Sequence, residues 1–539
     1  MTQVIAFVAL VIFAFIMIII GVISTKKTKT LDGFLLGGRN IGAWMSAFSY
    51  GTSYFSAVIF IGYAGKHGWD IGFSSMWIGI GNALFGCALA WMILAKRTRR
   101  MTHKLNARTM PEFFEARFGD TKMKVFAAVI IFIFLVPYAS SVYKGLGSLF
   151  GSIFPNIADI FFGISPTIIC MFFVAVLTAV YLVLGGYVAT AITDFIQGII
   201  MIFGVVIMVI ALLLNPNVGG FSNAVNVLTE TKESLTSIFG GSNWSFLLIN
   251  ILLTSFGTWG LPHMVSKYYA IKSEKVIKKA TIIATIFSVI IGCGCYFVGS
   301  LGRFFIPALE DGSPQGGFDF VVPNMLNSAF GANFWGNILM SVVLLCVLSA
   351  SMSTLSAIVL TSSSAISVDL LKVFKPNFEK KKQMTLTRTL CFIFVALSFV
   401  FATFNFAIIV SIMSFSWGVV SGCFIGPYIW GLYSKKITRA GAWAGLLSGI
   451  TVVLTFVIHG MITSPALSSG LYEAFKAVSV NSPLYGVIAM VISFIIVPVV
   501  SLVTKKLPDE VIDRAFNEII EDSENITIAP EKTGKVASK

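Results

Sequence analysis

Charged residues are scarce in this sequence. Lys, Arg, Asp and Glu make up 12% of its 539 residues, against about 25% in an average soluble protein. Hydrophobic residues make up 56% of the chain. So little charge does not suit the water-exposed surface of a soluble protein of this size, and the composition indicates an integral membrane protein instead.

Motifs of enzymes and metal sites are missing as well. The chain contains no G-x-x-x-x-G-K-[ST] phosphate-binding loop and no H-E-x-x-H zinc motif. Its four histidines lie in separate segments, and its seven cysteines fall within apolar runs without the spacing of a disulfide framework or zinc site. We therefore do not expect an ATP-driven pump or a membrane metalloprotease, and we predict that the protein is not an enzyme.

Long apolar runs are abundant. Many of them approach or exceed the roughly 20 residues that a helix needs to cross a bilayer. We predict an all-α integral membrane protein with about 13 transmembrane helices. The first run has no basic segment before it and is predicted to be a retained helix, not a cleaved signal peptide. The predicted spans are residues 4–24, 41–65, 74–95, 125–153, 160–184, 189–214, 245–266, 281–302, 334–371, 389–405, 407–432, 440–461 and 484–504.

The positions of the basic residues predict the orientation of these spans. If the N-terminus lies outside, the loops on the cytoplasmic side, among them 267–280, hold 33 of the 38 Lys and Arg residues, and the outer loops hold four. By the positive-inside rule, this favours a plasma-membrane protein with its N-terminus outside and its C-terminus in the cytoplasm. The basic residues that give the net charge of +14 would then form a solvated cytoplasmic surface near anionic lipid, and no nucleic acid is expected to bind.

Two predicted spans are interrupted near their middle. The second has Ser, Tyr, Gly and Thr residues clustered at 49–56, and the seventh contains Gly257, Gly260 and Pro262. Lost backbone hydrogen bonds are tolerated in a membrane beside a protein-lined cavity. The two spans lie five apart and so run in opposite directions, as expected for inverted repeats whose broken helices meet at a midplane site. The alternative is that these small residues only let helices pack closely.

Hydroxyl groups are concentrated in the ninth span. Ser353 and Thr354 are adjacent, and the carbonyl of Ala350 lies one helical turn earlier. Several neutral oxygens at one point suit a small cation that must lose its water. A packing seam between helices has a similar composition, so these residues alone leave both interpretations open.

Two charged residues fall inside predicted spans. Asp194 lies eight residues beyond the Gly185-Gly186 turn, which is about 12 Å along a helix. A carboxylate at that depth is either functional or held by a structural hydrogen bond. Lys144 has three possible roles: its ammonium snorkels to the interface, pairs with a carboxylate, or lies in a solvated vestibule.

Several motifs in this chain resemble those of the sodium:solute symporter family. The segment 36–39 (LGGR) precedes the second span, as the G-G-R segment of the family does. Segments 185–187 (GGY) and 193–197 (TDFIQ) are similar to its G-G-x…T-D-x-x-Q stretch. Segments 351–356 (SMSTLS) and 364–370 (SAISVDL) resemble its sodium-site helix and the S-A-I-x-x-D-L that ends it. The motifs occur in the same order and span most of the chain.

The resemblance implies an organisation of the whole chain. The core would consist of two inverted five-helix repeats, formed by spans 2–6 and 7–11. The chain would then divide into a first helix with its inner loop (1–40), a first repeat (41–214), a second repeat (215–439), two C-terminal helices (440–504) and a cytoplasmic tail (505–539).

The resemblance also implies sodium as the co-transported ion, bound between the second and ninth spans. Five mostly neutral oxygens suit a monovalent ion that must leave again. An intramembrane carboxylate nearby would lie on the inward release route. The ligands carried over are the main-chain carbonyls of Thr52, Phe55 and Ala350 and the hydroxyls of Ser353 and Thr354, with Asp194 as the carboxylate.

The solute is less well indicated. Segments 260–263 (GLPH) and 269–271 (YAI) are similar to those of proline-type members, but Tyr54 stands where those members carry Asp and sugar-type members carry Asn. The apolar residues 58–60 after the break disfavour a sugar, which needs several polar partners. We expect sodium-coupled symport of a small amino acid such as proline, or of a small carboxylate, by alternating access.

Two alternatives remain from the sequence: a sodium/sugar symporter, and an uncoupled facilitator or channel. The expected partners are the solute, sodium and the lipid bilayer, and no required protein partner is evident. The substrate-binding candidates are Tyr54, Ser56, Tyr143, Lys144, Trp259, Gly260 and Pro262.

Overall fold

The structure is a computed structural model that describes residues 2–25, 30–157, 163–330, 333–404 and 406–517. Within these ranges the chain is helical and forms no β-strand. The predicted tail 505–539 is described as far as residue 517, and its acidic end lies outside the described residues. The first residues of the predicted span 160–184 and the last residue of the span 389–405 also lie outside them.

The helices follow one another with short connections. Stretches of π-helix at Val58–Tyr63, Asn82–Leu89, Trp91–Ala95 and Ala365–Leu370 continue the α-helices beside them. The α-helices are α1 (Thr2–Ser24), α2 (Leu31–Leu36), α3 (Ala43–Tyr54), α4 (Ala64–Ile71), α5 (Met76–Gly81), α6 (Lys96–Lys104), α7 (Met110–Phe118), α8 (Thr121–Ile153), α9 (Pro166–Leu213), α10 (Gly220–Thr231), α11 (Trp244–Gly260), α12 (Pro262–Tyr269), α13 (Ile277–Ser300), α14 (Val321–Phe330), α15 (Phe334–Ser364), α16 (Leu371–Phe374), α17 (Lys380–Thr403), α18 (Ile409–Tyr433), α19 (Arg439–Thr463), α20 (Leu471–Ser479), α21 (Ser482–Val503) and α22 (Asp509–Phe516).

The number of possible membrane spans is lower than the sequence predicts. In the described part of the chain, 10 helical stretches are long and apolar enough to cross a membrane, or 11 if α11 and α12, bent by 48°, form one span. The protein is thus a multi-pass, all-helical membrane protein, but the count of 13 is not reached by this measure. Two stretches, Val58–Lys104 and Pro166–Leu213, are 47 and 48 residues long. Each contains a glycine with positive φ, Gly72 at 57° and Gly186 at 50°.

Burial separates central helices from peripheral ones. In the most apolar segment of the stretch Phe334–Phe374, 89% of the residues are buried, and in that of α18, 94% are buried. In the most apolar segment of α1, only 22% are buried. The corresponding segments of α19 and α21 are 28% and 33% buried. A helix that is apolar all round and buried belongs to the core, so α15 and α18 are central and the other three present side chains to lipid.

The connection between α6 and α8 is held by local capping signals and a buried arginine. Helix α7 begins after Thr109, whose hydroxyl accepts the Glu112 N–H at 3.1 Å, and it ends before Gly119, which has a φ of 66°. The guanidinium of Arg117 donates to the carbonyls of Gly431 and Ser434 at 2.8 Å each. This short helix is thereby fixed against the end of α18.

The prediction that the basic residues form a solvated surface is wrong for three of them. Arg117, Lys124 and Lys267 are 0%, 3% and 2% exposed. Buried charges need partners, and each has one. Arg117 caps carbonyls at the end of α18, Lys124 lies 2.9 Å from Glu115, and Lys267 approaches Asp194.

Candidate ion and solute site

The second span is broken where the sequence predicts. Helix α3 ends at Tyr54, and Phe55 takes an extended conformation with φ −101° and ψ 105°. Helical backbone resumes after Ser56, with π-helix from Val58. The amide that the break releases is not left unpaired, because Ala57 N donates to Ser351 Oγ at 3.1 Å. The break in the second span therefore lies directly against α15, the ninth predicted span.

Oxygen atoms converge at this contact. Thr354 Oγ1 lies 3.2 Å from the carbonyl oxygen of Thr52, and 3.1 Å from those of Ser53 and Ala350. Ser353 Oγ donates to Thr52 Oγ1 at 2.7 Å. All five residues are fully buried. One hydroxyl hydrogen cannot satisfy three carbonyls, so the cluster has acceptor capacity left over, which is what a desolvated monovalent cation requires.

Four of the five predicted sodium ligands therefore take part in one cluster. The fifth, Phe55, is the extended residue that directly follows α3. Ser53 was not predicted from the sequence, but its carbonyl approaches Thr354 as closely as that of Ala350. No group of three or more His, Cys, Asp or Glu residues able to hold a metal ion occurs in the described chain.

Asp194 lies beside the same segment of α3. Its Oδ2 accepts a hydrogen bond from Ser49 Oγ at 2.5 Å, and Ser49 lies one helical turn before Thr52. Lys267 Nζ donates to Ser49 Oγ at 2.8 Å and lies 3.6 Å from Asp194 Oδ2. The predicted intramembrane carboxylate thus has a buried ammonium partner.

Sequence analysis missed this partner because Lys267 was assigned to the cytoplasmic loop 267–280. Lys267 lies one turn after His263 in α12, and its position at the end of an apolar run resembles that of a lysine at a solvated helix end.

A narrow cavity opens next to this ion pair. It has a volume of about 30 Å³, which is enough for a water molecule. Its walls combine charged groups with hydroxyls, and we call it the Asp369 cavity. The polar residues that line it are Arg108, Thr109, Tyr187, Thr190, Ser266, Lys267, Thr361, Ser364 and Asp369, and Pro262 lies among the apolar ones.

The predicted substrate residues occupy several places. Tyr54 and Trp259 lie near the two breaks, and their polar atoms bind main-chain carbonyls: Tyr54 OH donates to Thr254 O at 2.7 Å, and Trp259 Nε1 donates to Phe85 O at 3.0 Å. A Cβ at Gly260 would lie 2.9 Å from Ser421 Cα, so the helices touch there. The second and seventh predicted spans are thus joined by the Tyr54–Thr254 hydrogen bond, whereas Gly260 packs against α18.

Tyr143 and Lys144 are neighbours in α8 with different surroundings. Tyr143 is fully buried, and its hydroxyl has no hydrogen-bond partner in the described chain. Lys144 Nζ lies 2.7 Å from Asp319 Oδ2 and donates to Ala407 O at 2.6 Å. Of the three roles considered for Lys144, the structure shows the one in which its ammonium pairs with a carboxylate.

Aromatic rings surround the breaks, among them those of Tyr138 and Trp417, which the sequence did not predict. Tyr54 stacks on Phe55 at 4.6 Å between ring centroids and faces Trp417 at 6.4 Å. Tyr138 lies 5.6 Å from Trp417 and 5.6 Å from His263. These residues come from four distant segments, and no local motif marks Tyr138 or Trp417.

The sequence of this chain is similar to those of known symporters. A family model described as the sodium:solute symporter family matches residues 34–449. The chain is 28% identical over 526 residues to sodium/proline symporters of Staphylococcus aureus, among them those of strains JH9 and USA300, and the alignment covers 95% of each chain.

Solved structures share the fold. A sodium-coupled sialic acid symporter in a substrate-bound outward-open state aligns with a TM-score of 0.68 and 18% identity, over 93% of this chain and 98% of its own. A nucleobase-cation-symport-1 family transporter in a closed conformation aligns with a TM-score of 0.51 and 14% identity, over 89% and 97% of the two chains.

The fold is that of a multi-pass, helical membrane protein, and its described core holds a buried cluster of oxygen atoms. The match over residues 34–449 is more specific: the chain belongs to the sodium:solute symporter family. It is accordingly a sodium-coupled solute symporter, with sodium as the co-transported ion and a small molecule as substrate.

Proposed function

We propose that this symporter imports a small amino acid, proline or a close relative, or a small carboxylate, by alternating access. The observation that carries the proposal is the convergence of three main-chain carbonyls on Thr354 Oγ1 at the break of α3. The choice of an amino acid rests on the sodium/proline symporters that the chain resembles over 95% of its length.

Sodium is proposed to bind at the oxygen cluster, which we call the sodium site. Its ligands are Thr52, Phe55, Ala350, Ser353 and Thr354. The leftover acceptor capacity of the cluster and its complete burial support this assignment. Asp194 accepts a hydrogen bond from Ser49, which lies one helical turn before Thr52. It is proposed to receive the ion on its way to the cytoplasm.

The substrate is proposed to bind at the two breaks, near Tyr54, Ser56, Trp259, Gly260 and Pro262. Its carboxylate would meet main-chain amides at the start of a half-helix, where the partial charge is positive. A sugar fits less well, because the Tyr54 hydroxyl and the Trp259 N–H are already bonded to carbonyls. Tyr143, with its unpartnered buried hydroxyl, and Lys144 are proposed as outer members of the site.

The proposed architecture keeps 13 spans, of which ten form two inverted repeats, spans 2–6 and 7–11. Dividing the two long stretches at Gly72 and Gly186 adds one span each, and the bent pair α11–α12 adds another, which brings the count from ten to the proposed number. We place the N-terminus outside the plasma membrane and the C-terminus in the cytoplasm, because basic residues cluster in alternate loops.

Uptake into proteoliposomes tests the substrate assignment. Labelled proline, small neutral amino acids, monocarboxylates and a hexose are offered with an inward sodium gradient and with choline in place of sodium. We expect sodium-dependent accumulation of an amino acid or a monocarboxylate, and inhibition by the unlabelled compound. Accumulation of the hexose alone would overturn the proposal.

A further inference from the structure

A buried lysine stands beside the sodium site. Lys267 is 2% exposed and belongs to α12, which begins at the break of the seventh span. Its ammonium donates to Ser49 Oγ at 2.8 Å, and Ser49 in turn donates to Asp194 Oδ2 at 2.5 Å. The direct distance from Nζ to Asp194 Oδ2 is 3.6 Å. One charge pair thus links α3, α9 and α12.

The Lys267–Asp194 pair and the sodium site lie at the same segment of α3. Ser49 lies one turn before Thr52 and Ser53, whose carbonyls face Thr354. A sodium ion at those carbonyls and the ammonium on Ser49 are like charges in a buried environment, where repulsion is stronger than in water. Asp194 Oδ1 has no hydrogen-bond partner in the described chain, so the carboxylate keeps room for a second cation.

The Asp369 cavity offers the ammonium another position. Lys267 lines this cavity together with Asp369, a fully buried residue of the π-helical stretch that follows α15. Asp369 Oδ1 accepts the Thr109 hydroxyl at 2.7 Å, while its Oδ2 has no hydrogen-bond partner among the described residues. A second carboxylate therefore borders the same space as the lysine.

From this arrangement we infer that Lys267 is a tethered cation that neutralises Asp194 whenever sodium does not. Sodium that leaves the sodium site for Asp194 displaces the ammonium into the Asp369 cavity, and the ammonium returns when sodium has gone. Lys267 is thus a positioning residue that acts on sodium through Asp194 and promotes release of the ion. The inference rests on the proposed role of Asp194 in the ion route.

Sodium binding by the purified full-length protein tests the inference. Radioactive sodium is titrated without substrate, with choline keeping the ionic strength constant. Lys267→Gln should bind sodium about tenfold more tightly or better, because Asp194 loses its resident counter-ion. Its turnover at saturating sodium should fall, because release slows. Lys267→Arg keeps the cation and should restore both properties toward wild type, which a purely structural role of the lysine does not require.

Lys66→Gln is the matched control. Lys66 is also a largely buried lysine paired with a carboxylate, at 2.5 Å from Asp70, but both members of this pair lie in α4 and neither lines the Asp369 cavity. We expect its sodium affinity to equal that of wild type. Unchanged or weaker sodium binding in Lys267→Gln would overturn the inference.

Two further variants separate this inference from the proposed function. Asp194→Asn leaves the ammonium unpaired near the ion and should weaken sodium binding. Asp194→Asn/Lys267→Gln removes both charges and should return the affinity toward wild type. If Asp194→Asn binds sodium normally, the proposed ion route is wrong. If it binds weakly while Lys267→Gln matches wild type, the route stands and the tethered cation does not.

Loss of folding is also informative. Lys267→Gln leaves the buried carboxylate of Asp194 without a partner, so the variant is expected to be more stable in sodium than in choline. A variant that can be isolated in sodium but not in choline would support the inference. If the single variant cannot be isolated in either salt, the double variant must fold and bind sodium more tightly than Asp194→Asn. A double variant that also fails to fold would show that Lys267 acts through other contacts, against the inference.

Discussion

At the scale of single residues, Thr354 supplies a hydroxyl on which the carbonyls of the sodium site converge. Its Oγ1 lies within 3.2 Å of three carbonyls. Thr354→Ala should lose one oxygen ligand, at a cost of about 1–3 kcal/mol of ion binding. The sodium concentration for half-maximal uptake should rise accordingly by roughly 5-fold to 150-fold. Initial uptake rates over a sodium titration in proteoliposomes provide the measurement.

Ser341→Ala is a control on the same helix. Ser341 Oγ donates to Asn337 O within α15 at 2.8 Å, and Ser341 lies more than three turns before Thr354. Its removal should leave the sodium dependence unchanged, and Thr354→Ser should keep most of it because the hydroxyl is retained. A Thr354→Ala protein with wild-type sodium dependence would show that the carried-over site is wrong.

Asp194 permits a second test at this scale, which separates an ion relay from a structural carboxylate. Asp194→Asn removes the charge and nearly preserves the shape, so uptake driven by a sodium gradient should fall strongly. Substrate binding at saturating sodium should survive, because Tyr54, Ser56 and Trp259 lie at other contacts. Both quantities are measured on the same purified variant. An equal loss of binding and uptake would indicate a structural role, and full retention of uptake would also exclude the relay.

At the scale of helices, an ion pair joins three elements on the side opposite the Asp369 cavity. Lys144 of α8 lies 2.7 Å from Asp319, in the short turn Phe318–Phe320 before α14. Asp319 Oδ1 also accepts the Ile409 N–H at 3.1 Å, at the first residue of α18. A carboxylate at a helix N-terminus is favoured by the exposed amides and the helix dipole. This pair therefore ties the loop before α14 to α8 and α18.

A double-mutant cycle measures how strongly the pair couples these elements. Lys144→Gln and Asp319→Asn should each lower the thermal unfolding midpoint, because each leaves a largely buried partner alone. The double variant should lose less than the sum of the two, with a coupling of about 0.5–3 kcal/mol. The pair Lys66–Asp70 within α4 is the control; Asp70 is 25% exposed against 8% for Asp319, so its coupling should be smaller. Additive effects of Lys144→Gln and Asp319→Asn would rule out the tie.

At the scale of the whole molecule, the parts that sequence predicts are those with local causes. The break at Phe55 follows from a cluster of small and polar residues, and the bend at Pro262 follows from a residue that lacks an amide hydrogen. The contact of Ser353 and Thr354 with the second span was expected from family motifs, and the structure contains it.

The parts that sequence could not predict depend on distant partners. Lys267 follows directly on an apolar run, where a lysine usually marks a solvated end, and only its approach to Asp194 from another helix makes burial tolerable. The Tyr54 hydroxyl points to Thr254, 200 residues away, so its bonding is set by helix packing. The span count differs because Gly72 and Gly186 let the chain turn while remaining helical in its hydrogen bonding.

The orientation of the molecule remains a prediction, and accessible single cysteines test it. Gln315 and Ser469 lie in predicted outer loops, and Asn377 and Lys435 lie in predicted inner loops; all four are exposed. Cysteines at the first two should react with an impermeant thiol reagent in intact cells, and cysteines at the other two should react only after permeabilisation. Six native cysteines are buried and Cys293 is partly buried, so a Cys293→Ser background keeps the signal low.

Reversed labelling would change the mechanism and not only the topology. The Asp369 cavity borders Arg108 and lies toward the loops that contain Asn377 and Lys435. If those loops faced the outside, Asp194 and Lys267 would guard the entry of sodium, and Lys144–Asp319 would lie on the cytoplasmic side. The positive-inside rule argues against this, because the loops that hold 33 of the 38 Lys and Arg residues would then lie outside. The labelling pattern therefore decides whether the Lys267–Asp194 pair acts on release or on entry of the ion.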